Sequence, residues 1–282
     1  MNWLLEPLQY AFMVRALLAS VIVGVLCAVM GTYVVLRGMA FLGDALAHAI
    51  LPGVAIAYLL HGNLLVGALV AALVIALSIG LFSRQGTIKE DTAIGILFAA
   101  ALSLGVALIS SIKTYAVDLS HILFGNVLGV SAVDLWLTAG LGLLILLAVF
   151  LFYKPFMIIS FDPVLAATLR LRAELLRYVM LVLLALTVVV SLQTVGVGLA
   201  AAMLVTPAAT AYLLTRRLGS MMLISAALGA LSSIIGLYLS YYINIVSGSA
   251  IVLTATGFFL LAFLFNRRQG ILRRKKAGST SS

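Results

Sequence analysis

The sequence predicts an all-α, polytopic integral membrane protein, and three observations carry that prediction. Of its 282 residues 65% are hydrophobic and 9% charged, with a mean hydropathy of +1.28, whereas soluble domains run at roughly 45–50% apolar and about 25% charged. Nine windows approach the roughly 20 apolar residues that a hydrocarbon core requires. Strung alternately across a bilayer, those windows leave all of the 17 Lys and Arg on one side except Arg15 and Lys113, the asymmetry of the positive-inside rule. The formal charge of +9 is thereby assigned to topology and contact with anionic lipid, not to a nucleic-acid surface. The same count places the N-terminus outside and the C-terminus in the cytoplasm.

In chain order the windows are 16–36, 40–60, 64–82, 92–112, 132–152, 178–195, 198–214, 221–242 and 250–265. The seventh is short, so eight crossings is the alternative count, and an interfacial helix is the alternative reading of the residues before the first. The N-terminal stretch carries Glu6, Pro7 and Arg15 and lacks the basic start and small-residue cleavage site of a signal peptide, so the first span is expected to stay in the mature protein. The single Cys27 falls inside that span, where it forms neither an internal disulfide nor a thiolate cluster. No hydrophilic stretch is long enough for a soluble domain with its own core. The expected organisation is one transmembrane domain, 1–266, and a tail, 267–282, that is basic, then Gly/Ser/Thr-rich, and disordered.

Three connections stand out. Residues 83–91, SRQGTIKED, form a short polar turn whose Glu90 and Asp91 suit the positive end of the next helix. Residues 113–131 make an external segment too apolar for a plain loop, with Asp118 and His121 inside it. Residues 153–177 form the longest cytoplasmic connection; apolar positions at helical spacing alternate there with Arg170, Arg172, Glu174 and Arg177, which predicts an amphipathic surface helix. The seventh window gathers Gly196, Gly198, Ala200, Ala201 and Ala202, a face that permits close helix approach in lipid.

Asp44 and His48 are the acid and imidazole set deep inside a window. A charge near the bilayer centre costs about 2.5–3.5 kcal/mol on the mild insertion scales, so such residues face a cavity, a partner or a passing ion. Spacing of i, i+4 puts both on one helix face. Carboxylate oxygen with imidazole nitrogen suits Mn²⁺, Zn²⁺ or Fe²⁺, while Mg²⁺ or Ca²⁺ sites lean on oxygen alone. The competing reading is a structural ion pair with Arg37 as the cation. Pro52 cannot donate to the His48 carbonyl, nor Pro207 to that of Met203. Each freed oxygen needs a partner, and that of His48 is a candidate further oxygen for the site.

The sequence contains no Gly-Lys dipeptide and hence no phosphate-binding G-x-x-x-x-G-K-[ST] loop, and no plausible Ser/His/Asp constellation. An enzyme is not expected, and any ATP that drives transport is bound by another chain. Residues 33–60, YVVLRGMAFLGDALAHAILPGVAIAYLL, resemble the signature of the permease subunits of ABC transporters for manganese, zinc and iron, the ABC-3 family. Four further stretches match its pattern in order: DLSHILFGNVLGVS at 118–131, SFDPVLAATL at 160–169, TVVVSLQTVGVGLAAAMLVTPAATAYLL at 187–214, and the turn Thr215-Arg216-Arg217-Leu218.

The resemblance implies a type II importer-like permease in a bacterial plasma membrane. It implies a second permease copy, cytoplasmic ATP-binding subunits and an external metal-binding protein, with no resident cofactor in this chain. It makes Asp44 and His48 the expected intramembrane metal ligands and the turn Thr215 to Leu218 a surface coupled to the ATPase. Arg216 and Arg217 also read as topology anchors. His61 and His121, near the external face, are candidates for relaying metal inward. Manganese is favoured over zinc or iron, because Leu51-Pro52-Gly53 resembles the manganese and iron members and a site without thiolate does not select zinc. The chain departs from the family's habit at 169–172, Leu-Arg-Leu-Arg, and at Tyr212, where a basic residue is common. The alternatives are a permease for an iron chelate or corrinoid, a proton-coupled secondary metal transporter, and a membrane scaffold.

Overall fold

The computed structural model describes residues 6–83, 89–111, 127–161, 166, 168–169 and 171–265. Among the described residues there is no strand, and nine helical spans are long and apolar enough to cross a membrane. In chain order the helices are α1 (Ala11–Leu36), α2 (Leu42–Ala49), α3 (Leu51–Leu59), α4 (Leu64–Phe82), α5 (Glu90–Ser110), α6 (Ala132–Leu151), α7 (Tyr153–Phe161), α8 (Ala173–Val195), α9 (Val197–Leu214), α10 (Leu218–Ile243) and α11 (Ser247–Phe265). Each predicted window corresponds to one span. α2 and α3 together make the second, while α7 rises only about 14 Å at 1.5 Å per residue and does not cross.

α1 lies at the centre and packs against α6, α8, α9 and α10. Lipid is as apolar as leucine, so close approach and interhelical hydrogen bonds hold these helices together. Gly24 of α1 faces Gly229 of α10: a Cβ on Gly24 would stand 2.7 Å from Ser233 Oγ and 2.9 Å from the Gly229 carbonyl oxygen. On the same seam the Ser225 and Ser233 hydroxyls donate to the carbonyls of Ala28 and Ser20 at 2.8 and 2.9 Å. Gly31 abuts the Leu204 carbonyl of α9, and Gly43 of α2 abuts the Leu204 side chain. Of the small-residue face expected along α9, Ala201 lies against Gly43 of α2, α1 packs further along at Leu204 and Ala208, and a Cβ on Gly198 would meet nothing within 4 Å.

Two turns set the path of the second span. α1 closes with Gly38 in the left-handed region (φ +70°), its N–H on the Val35 carbonyl at 3.1 Å and the Met39 N–H on Val34 at 3.0 Å. This double closure is a Schellman motif, and it turns the chain back into α2. α3 ends in the same way with His61 in the left-handed position (φ +51°), where the His61 and Gly62 N–H groups reach Tyr58 and Ala57 at 3.0 and 2.8 Å. Asn63 then caps α4 by accepting from the Leu65 N–H at 2.9 Å.

Three boundaries differ from the sequence reading. α1 starts at Ala11, because Arg15 is carried inside it with Nε donating back to the Ala11 carbonyl at 3.3 Å. A 3₁₀ turn, Pro7–Gln9, stands where an interfacial helix was the alternative. The surface helix expected from the pattern around Arg170 to Arg177 does not stand alone there: a short helix, α7, lies earlier and ends at Phe161, with Phe156 and Ile159 buried. Glu174 and Arg177 lie instead in the first turns of the spanning helix α8. Residues 162–165, 167 and 170 fall outside the described residues.

Candidate functional site

α2 is the helix that presents the pair. Leu42, Ala45, Leu46 and Ala49 turn inward, at most 1% exposed, and leave Asp44 and His48 on the opposite side. Their side chains are 45% and 30% exposed in the single chain. His48 Nδ1 lies 3.0 Å from the Asp44 backbone carbonyl oxygen and 3.4 Å from Asp44 Oδ1. A carbonyl oxygen only accepts, so Nδ1 is the donor in this contact, and in the neutral imidazole that tautomer leaves the Nε2 lone pair for a ligand. Metal-ligating histidines are oriented in this way, by a hydrogen bond from the other ring nitrogen.

The rest of the site is aromatic. Phe98 of α5 meets the His48 ring edge to face, with centroids 6.0 Å apart and planes at 84°. Phe41, which precedes α2, meets Phe98 in the same manner at 5.2 Å and 86°. Phe41, Asp44 and His48 stand at i, i+3 and i+7 and share one face. Among the described residues no third His, Cys, Asp or Glu joins the pair to form a group able to hold a metal. Cys27 is buried in α1, its Sγ 3.1 Å from Ser191 Oγ. The His48 carbonyl released by Pro52 has the cap N–H of Ile50 two residues on as its neighbour and keeps acceptor capacity. Beyond Ala49 and Pro52, an apolar groove of about 800 Å³ opens between α3, α4 and α5, lined by Ile56, Val70 and Leu104 among others.

Arg37 is not the partner of Asp44. Its Nη2 donates to both Glu90 oxygens, at 3.1 and 3.4 Å, and Arg177 Nε meets Glu90 Oε1 at 3.1 Å. Arg177 Nη2 further donates to the Gly80 carbonyl at 2.8 Å and to Ser83 Oγ. The Glu90 carboxylate thus ties the ends of α1, α5 and α8, and Arg177 adds the end of α4. Burial lowers the Arg37 pKa from its ordinary value and Glu90 opposes that fall, but a guanidinium remains charged in proteins. Helix-dipole reasoning accounts for Asp91 at the start of α5 but does not reveal this role of Glu90.

Those of the other predicted residues that the structure describes lie apart from the pair, Pro52 excepted. His61 is exposed at the end of α3, roughly 20 Å from His48 at 1.5 Å per residue. His121 and Asp118 lie outside the described residues. In the turn between α9 and α10, Thr215 Oγ1 accepts the Arg217 N–H at 3.4 Å, Leu218 is buried, and Arg216 and Arg217 are exposed. Pro207 sits buried within an unbroken α9.

Comparison with known proteins agrees with this architecture. Residues 9–266 match the family described as the ABC 3 transport family. The chain is 48% identical, over 95% of its length and 92% of the relative's, to the manganese transport system membrane protein MntC of Halalkalibacterium halodurans. It is 49% identical, over 95% and 96%, to that of Listeria monocytogenes. Among solved structures, PsaBC from Streptococcus pneumoniae in complex with Fab superposes with a TM-score of 0.84 at 41% identity, covering 97% of this chain and 99% of that one. A helical bundle with nine membrane-spanning helices among the described residues, a match over nearly its whole length and relatives close to half identical lead to one conclusion: this chain is a multi-pass membrane permease of the ABC 3 transport family.

Proposed function

We propose that this permease conducts a divalent transition metal inward, manganese in preference to zinc or iron, and that Asp44 and His48 hold the ion on its way. The observation that carries the reading is the open face of α2. An acid and an imidazole exposed 45% and 30% are too costly to leave against lipid. A second copy of the chain or a water-filled path must therefore cover them. The bond from Nδ1 to the Asp44 carbonyl fixes the imidazole, and the exposed carboxylate lies on the same helix face. Mn²⁺ accepts such mixed nitrogen and oxygen donors, and the absence of thiolate disfavours a zinc-selective site. The manganese transport systems to which the relatives belong support the same ion.

Two protein donors bind weakly, with water or the second copy supplying the rest of the coordination shell, and a transport site must release its ion. The energy comes from a cytoplasmic ATP-binding subunit that docks on the Thr215 to Leu218 turn, and an external metal-binding protein delivers the ion. With the basic end of the bundle in the cytoplasm, the ion enters from the His61 side and leaves past Arg37 and Glu90. The test is uptake of radioactive manganese and zinc by cells lacking the chain and complemented with wild type, Asp44→Asn or His48→Ala at matched membrane expression. Loss of manganese uptake in both variants is expected. Undiminished uptake of both ions would overturn the proposal.

A further inference from the structure

Phe98 occupies a particular place. Its ring meets both the His48 ring, with centroids 6.0 Å apart, and the Phe41 ring, with centroids 5.2 Å apart. Those two residues flank Asp44 on one face of α2, so Phe98 packs from α5 against the face that carries the carboxylate. Two consequences follow. The imidazole is held between a hydrogen bond at Nδ1 and a ring packed against it, which leaves little freedom to swing Nε2. The wall of α5 that faces the pair also presents carbon instead of a third donor. Two imidazoles on one tetrahedral ion each place a nitrogen about 2 Å from it, which sets their ring centres roughly 5 Å apart, a little closer than the 6.0 Å between His48 and Phe98. A ligand at position 98 would be in reach.

We propose that Phe98 is a positioning and affinity-setting residue: it fixes the His48 imidazole and, by filling the α5 side of the pair, holds the site to two donors so that the ion can leave. The inference rests on the reading of Asp44 and His48 as ligands and adds the residue that keeps their affinity low.

The experiment measures equilibrium Mn²⁺ and Zn²⁺ binding by the purified permease with its ATP-binding subunit, alongside uptake rates in cells. Phe98→Ala, which frees the imidazole, should weaken Mn²⁺ binding about tenfold, the lower end of what outer-shell supports of a ligand contribute. Phe98→Leu, which keeps bulk against the ring, should recover most of that loss. Phe98→His should tighten binding about tenfold or more, with the larger gain for Zn²⁺ because added imidazole suits tetrahedral zinc. It should also lower the maximal uptake rate, since the ion is held. A merely structural Phe98 would lower the yield of folded complex in all three variants without a rise in affinity in any. Phe98→His binding Mn²⁺ and Zn²⁺ as wild type does, in folded complex, would overturn the inference. The double replacement Asp44→Ala with His48→Ala separates the two ideas. Unchanged binding there sinks the ligand assignment itself, while binding lost there with no effect at position 98 sinks only the role of Phe98.

Discussion

The Arg37 guanidinium and the Glu90 carboxylate, 53 residues apart in sequence, meet at 3.1 Å where α1 ends and α5 begins. Arg177 approaches the same carboxylate from α8, and all three side chains are 14–21% exposed. Removing one member of a buried ion cluster leaves uncompensated charge behind. Glu90→Gln, which keeps the size and removes the charge, should cost up to about 3–5 kcal/mol and lower Tm in detergent, and Glu90→Asp should recover part of it. An unchanged Tm in Glu90→Gln would show that the cluster does not hold these helix ends together.

Glycine positions divide sharply. A methyl on Gly31 collides with the Leu204 carbonyl, whereas one on Gly198 meets nothing within 4 Å. Overpacking of a tight interface costs about 1–3 kcal/mol, while an unhindered Gly→Ala in a helix gains about 0.5–1 kcal/mol. Thermal unfolding in detergent should therefore show Gly31→Ala destabilised and Gly198→Ala neutral or slightly stabilised. Equal shifts would mean that α1 and α9 are not packed at the distance described.

Pro52 interrupts the second span just after Asp44 and His48. Pro52→Ala restores an N–H able to bond the His48 carbonyl and lets α2 run on into α3, which should leave stability unchanged or improved. The tilt of α2 changes with it, and small misplacement of a working group costs up to about a hundredfold. Manganese uptake should fall at least about tenfold at equal membrane expression. Wild-type uptake would show that the interruption at Ile50 is incidental to transport.

Arg216 and Arg217 stand out from a turn whose Leu218 is buried in the bundle. Arginines that anchor an interface are worth about 2 kcal/mol each, or about thirtyfold in affinity. The double change to alanine should weaken association with the ATP-binding subunit by about that factor or more, while metal binding is kept. Unaltered association with a disturbed membrane orientation would leave them as topology anchors alone.

Much of the fold is legible in the sequence because the bilayer imposes simple rules. Apolar length locates the nine spans to within a few residues, and the i, i+4 spacing of Asp44 and His48 suffices to put both on one helix face. Boundaries move where a charge proves compatible with a helix: Arg15 folds back onto Ala11, and Arg177 reaches Gly80, Ser83 and Glu90 from within α8. Contacts between distant segments are not legible. Nothing local joins Arg37 to Glu90, so the nearer Asp44 is the partner that proximity along the chain suggests. Phe98 is one of 13 phenylalanines in a chain where aromatic rings are ordinary filler, and only packing sets it against His48.

The measurement that tests the central claim most directly is pulsed EPR of Mn²⁺ bound to the purified permease complex, reading hyperfine coupling to ligand nitrogen. With Nδ1 engaged by the Asp44 carbonyl, Nε2 of His48 should coordinate the ion. One imidazole nitrogen per bound Mn²⁺ and chain is expected, and the coupling should vanish in His48→Ala. Bound Mn²⁺ with no nitrogen coupling, or with coupling that survives His48→Ala, would contradict the account.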